Sequence, residues 1–90
     1  MTREQLAAAA ETLGAAADAA SDASIADGLA EQADQFAMLA EADRGPDHGR
    51  LARHDRVLSN LAADADPETA DAIESALEDI RAYRSTIEGV

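Results

Sequence analysis

D-R-G-P-D-H-G-R-L-A-R-H-D-R, residues 43–56, is the stretch on which the reading of this chain turns. Its first part ends one helix and its second part starts another. Gly45 can take backbone angles that other residues avoid, and Pro46 disfavours helix at the residue before it. Asp47 then offers a carboxylate to the unpaired amides of a new helix. Leu51, His54, Leu58, Leu61 and Ala65 follow at spacings of three and four, one face of an α-helix over about 48–64. The same stretch holds four of the seven arginines and both histidines, so the residues that shape the fold also carry most of the chemistry.

Downstream, D-A-D-P (64–67) stops that helix and starts the next. Asp66 is a natural N-cap, and Pro67 sits at the first helical position, where its missing N–H costs nothing. Ala70, Ile73, Leu77, Ile80, Tyr83 or Arg84, and Ile87 mark the buried side of a helix over about 67–88, and Gly89 and Val90 resemble a Schellman ending. Upstream, Ile25, Leu29, Gln32, Phe36 and Leu39 form the stripe of a helix over about 24–43, capped by Ser24 or Ser21 and weakened at Gly28. S-D-A-S (21–24) either separates it from the first helix or is bridged by a continuous one. The first helix, about 3–20, opens on a T-x-x-Q capping box, Thr2 with Gln5. Leu6, Ala9, Ala10, Leu13, Ala16, Ala17 and Ala20 lie on one of its faces.

Short connections favour antiparallel neighbours, so the expectation is an all-α fold: a small antiparallel bundle of about four helices, one domain over 1–90. Helix 1 is its weak member, because alanine buries little surface. Close approach to a neighbour compensates, or a second copy completes the bundle by dimerisation.

Nineteen carboxylates against seven arginines leave a net charge of −12, with no lysine and with Asp (11) ahead of Glu (8). Alanine supplies 24 residues, while Leu, Ile, Val and Phe together supply 15 of 90. That balance falls in the range of disordered chains, but the helical patterning is too regular for disorder. A salt-loaded cytoplasm resolves the conflict. At molar salt the Debye length shrinks to about 3 Å, and surface carboxylates scarcely feel one another. The absence of cysteine excludes a disulfide framework, a thiolate nucleophile and a Cys-type zinc site. No apolar run is long enough to span a membrane, and M-T-R-E-Q-L lacks the core of a signal peptide. The charge argues against nucleic acid. A cytoplasmic protein without cofactors is expected.

The chemistry of residues 43–56 is weighed against plainer roles. His48 and His54 are six apart and face different sides of a helix, whereas two metal ligands on one helix need a spacing of three or four. The E-x-x-H motif of di-iron bundles does not occur. The serines sit in no nucleophile motif. A histidine phosphotransfer module has the right size, but H-x-x-K-G is missing: D-R-V follows His54 and G-R-L-A follows His48. No residue is assigned as catalytic, cofactor-binding or metal-binding. A small bundle enzyme or phosphotransfer module using His48 or His54 stands as the alternative.

Pairing two helices about a turn near 45 and 46 puts His54 opposite Phe36 or Ala37, as a packed seam residue. The same count for the last two helices places His48 close to Tyr83. Arg50 flanks the seam, within reach of a neighbouring carboxylate or of Asp47. Arg44 lies in the turn, and Arg53 and Arg56 point to solvent. Together Arg44, His48, Arg50, Arg53 and Arg56 form the candidate interaction patch. They are either ordinary solvated charge or a basic stripe that docks an acidic protein surface, including a second copy of the chain. The expected function is a non-enzymatic interaction module, a homodimer through its apolar helix faces.

D-R-G-P-D-H-G-R-L-A-R (43–53) and E-D-I-R-A-Y-R-S-T-I-E-G-V (78–90) resemble a family of short, acidic haloarchaeal proteins without assigned function. The resemblance covers essentially the whole chain. It implies a salt-adapted cytoplasm and a small helical fold, and it carries over no catalytic residue.

Overall fold

The computed structural model describes residues 2–87. Its four helices are α1 (Glu4–Ala19), α2 (Ala23–Glu41), α3 (His48–Asp64) and α4 (Pro67–Arg84). The Gly89–Val90 ending lies outside the described residues. Helices α1 and α2 are separate, because residue 20 turns extended and 22 begins a new cap.

Each of the three later helices starts on an aspartate. Asp22 accepts from the Ile25 amide at 3.0 Å, Asp47 from Arg50 at 2.8 Å and Asp66 from Thr69 at 2.8 Å. The aspartates at 47 and 66 are the caps their sequence context demands. At 21–24 the cap is Asp22 rather than either serine, since an ionised carboxylate is the better acceptor for the positive end of a helix. The T-x-x-Q box does not form. Arg3 occupies the N-cap position without a side-chain cap, and the Thr2 hydroxyl donates to Glu41 Oε1 at 2.8 Å.

Tertiary closure explains that difference. The Arg3 amide donates to the Ala40 carbonyl at 2.9 Å. Its guanidinium donates to the carbonyls of Leu39 and Ala42 at 3.1 and 2.6 Å. The last turn of α2 has no basic residue of its own. Arg3 therefore supplies, from the start of α1, the cation that the negative end of α2 lacks.

These contacts put the start of α1 beside the end of α2, and Gly28 faces Leu61 just as Phe36 faces His54. The chain runs up and down, with the helices in a ring: α1 beside α2 and α4, and α3 beside α4 and, most lightly, α2. Leu6, Leu13, Leu29, Phe36, Leu51, Leu58, Ile73, Leu77 and Ile80 fill the centre, each almost wholly buried. Burying one such side chain contributes about 1.5–3 kcal/mol.

Alanine-rich α1 compensates by close approach to its neighbours. Ala9 and Ala16 of α1 and Ala33 and Ala40 of α2 are all buried, and a Cβ on Gly14 would stand 4.0 Å from the Ala33 Cβ. Gly45 has a different reason from the one its turn position implies. No glycine among the described residues has a positive φ, but a Cβ at Gly45 would lie 2.7 Å from the Tyr83 hydroxyl and 2.8 Å from Arg3 Nε. The 42–47 turn is thus packed beneath side chains from α4 and from the segment before α1.

Candidate functional site

The chemistry-bearing residues of α3 are divided by its helical geometry between two seams. Towards α4, Asp55 accepts two bonds from Arg81, at 3.0 and 3.1 Å, and His48 Nδ1 accepts from Arg84 Nε at 3.1 Å. The Asp55 carboxyl is held below its ordinary range, first by the Arg81 hydrogen bond. His48 therefore meets α4 one residue along from the expected Tyr83.

Towards α2 lies the more elaborate arrangement. His54 is 7% exposed and packs on Phe36 with ring centroids 4.8 Å apart and planes tilted by 58°. Its Nδ1 stands 2.7 Å from Gln32 Oε1, and Arg50 Nε donates to its Nε2 at 3.4 Å. A carbonyl oxygen only accepts, so Nδ1 carries the proton and Nε2 the lone pair: a neutral imidazole with both nitrogens engaged. Burial, and then the charges of Arg50 and Arg53, hold its pKa below the usual histidine value.

Among the described residues Arg50 pairs with no carboxylate. Asp47 takes its backbone amide, and its guanidinium turns to His54. Arg53 and Arg56 are exposed along α3, and Arg44 is exposed in the turn before it. Among the described residues the one ion pair is Arg81–Asp55, so none of these arginines is matched to a carboxylate. Of the candidate patch, His48 meets α4, while Arg50 and Arg53 line the α2 side.

The α2 side is concave. Gln32, Gln35, Arg50, Arg53, His54 and Val57 line a groove of about 310 Å³ along the lightest seam of the bundle. A second, larger groove of about 560 Å³ runs between α1 and the start of α4, among alanines, Thr12, Thr69 and the carboxylates of Glu11, Asp66 and Glu68. Sequence reasoning put Gln32 in the α2 stripe but did not join it to His54. The available signal was two lone polar residues in facing apolar stripes. The α1–α4 groove had no signal, because solvent-facing alanines look alike whether flat or concave.

Among the described residues no group of three His, Cys, Asp or Glu side chains is arranged to hold a metal ion, and no helix is long and apolar enough to cross a membrane. Compared with known proteins, residues 1–86 match the model of a family of unknown function (DUF7553). Neither a curated protein nor a solved structure matches the chain.

Proposed function

We propose that this chain, which belongs to that family of unknown function, is a non-enzymatic protein-interaction module of a salt-loaded cytoplasm and acts as a homodimer. The observation that carries the reading is the state of the α3 arginines. Arg53 and Arg56 stand exposed without a carboxylate partner among the described residues, in a strongly acidic chain, so their forks are open to an acidic surface. Val57 and Met38 are 41% and 67% exposed, and Val57 lies in the same groove as Arg53. The thin core adds a thermodynamic motive, because association buries surface that one copy cannot.

The competing assignment of a proton- or phosphoryl-transfer role meets two imidazoles already engaged. His54 is buried between Gln32, Arg50 and Phe36, and the Nδ1 of half-buried His48 accepts from Arg84. The salt-adapted reading rests on the net charge of −12, the lack of lysine and the aspartate-rich composition.

Light scattering on the protein in about 3 M KCl, where the Debye length is below about 3 Å, tests the proposal. A dimer that becomes a monomer in Arg53→Glu/Arg56→Glu supports it. A monomeric wild type that also captures no acidic protein partner through these arginines refutes it.

A further inference from the structure

We propose that the α2–α3 groove is a binding site for a small organic acid, its carboxylate held between the guanidinium groups of Arg50 and Arg53 and its short apolar body resting on Val57. The lining is the first ground. Two of the seven arginines, the amides of Gln32 and Gln35, one imidazole edge and one valine face a space of about 310 Å³, and no carboxylate does, although 19 of 90 residues are acidic. That volume is at the small end of ligand pockets.

The second ground is that half of the clamp is already oriented. Gln32 Oε1 accepts from His54 Nδ1, which leaves Nε2 to accept from Arg50 Nε. This relay runs from α2 through the buried ring to the guanidinium. It engages Arg50 at Nε, while its two terminal nitrogens have no partner among the described residues. A guanidinium that donates through Nε keeps its two terminal nitrogens for a planar carboxylate, the geometry that arginine recognises with two bonds. Arg53, one turn along, has neither a hydrogen-bond partner nor a carboxylate partner among the described residues.

The third ground selects the ligand class. Two guanidinium groups beside one apolar side chain match a planar carboxylate on a short apolar body better than a compact, fully polar oxyanion. Val57, exposed in the groove, offers an apolar surface that inorganic phosphate has no use for. The α2–α3 seam is also the lightest contact in the ring, so a ligand enters without displacing core side chains.

The site does not depend on self-association, although Arg53 serves both readings. The test follows the imidazole resonances of His54 and His48 by NMR in about 3 M KCl while potassium butanoate replaces KCl at constant potassium. Saturable shifts of His54, with its pKa moving up towards the ordinary histidine value and His48 unmoved, are the expected result. Arg50→Gln and Arg53→Gln should each weaken binding about tenfold, the loss of one charge-assisted contact. Arg53 is exposed and has no partner among the described residues, so its variant should stay folded even if Arg50→Gln does not. A His54 that shows no saturable shift, or equal affinity in the Arg53→Gln protein, overturns the site. Saturation by potassium phosphate but not by butanoate overturns the carboxylate assignment. Molar mass measured on the same samples keeps the two readings apart: a monomer that binds butanoate sinks only the dimer, and a dimer that does not bind it sinks only this site.

Discussion

The ring of His54 on α3 lies 4.8 Å from the ring of Phe36 on α2 and is tilted 58° to it. This contact holds together the lightest seam of the bundle, and Gln32 on α2 completes it by accepting from Nδ1 at 2.7 Å. A charged imidazole would put a second N–H against the Arg50 guanidinium, so the seam is built for the neutral ring.

Stability should therefore depend on pH through His54. Its folded-state pKa is depressed below the ordinary 6.5, so the unfolded chain takes up the proton first. The contribution is complete above about 6.5 and is lost as pH falls from there through the folded-state value. Denaturation midpoints measured between about pH 7.5 and 5 should fall with pH. The fall should be smaller in His54→Leu, and an identical slope in both proteins would assign the effect to other groups.

Gln32→Leu should cost about 1–3 kcal/mol, because it leaves the buried Nδ1–H of His54 without an acceptor. Urea titration gives the difference directly. A change below about 0.5 kcal/mol would mean that water replaces the amide.

Two glycines should respond in opposite directions. Gly14→Ala adds a methyl group at an ordinary contact distance from Ala33 and should stabilise α1 by about 0.5–1 kcal/mol. Gly45→Ala must push aside the Tyr83 hydroxyl and Arg3 Nε, both on movable side chains, and should cost about 1 kcal/mol, the low end for overpacking. Thermal midpoints of the two variants, measured side by side, check both signs.

Two arginines should differ in how their loss responds to salt. Arg3→Ala removes two charge-assisted bonds to the carbonyl end of α2 and should cost about 1–2 kcal/mol, largely retained in concentrated salt. Arg81 is 51% exposed, and losing its pair with Asp55 should cost at most about 1 kcal/mol, shrinking towards zero in molar KCl. Denaturation at low and high salt separates them.

On the proposed salt adaptation, helicity by circular dichroism should fall as KCl drops below about 1 M, when 19 carboxylates are no longer screened. Full helicity in dilute buffer would show that the four-helix core outweighs the repulsion without help.

Much of this was legible in the chain because it is local. Asp47 and Asp66 cap helices wherever the chain is placed, Pro67 can only begin one, and the spacing of Leu51, His54 and Leu58 needs no partner to be read. The pairing of His54 with Phe36 followed from one turn and a count of residues along two helices. The capping box at Thr2 and Gln5 failed for the converse reason. Its local bonds competed with a carbonyl end forty residues away, on the order of a whole helix pair, and Arg3 and Thr2 went to α2 instead.

Four helices, the caps at Asp47 and Asp66, the main buried faces and two lone polar residues in apolar stripes could be read from the chain alone. These depend on 3.6-residue periodicity and on backbone groups within a turn of one another. Packing alone settles that Arg3 closes α2, that Gly45 sits close beneath Tyr83 and Arg3 without a positive φ, and that Arg50 turns to an imidazole. Each of those is a choice among partners brought together by packing, and a long flexible side chain has many such partners until the helices around it have settled into one arrangement.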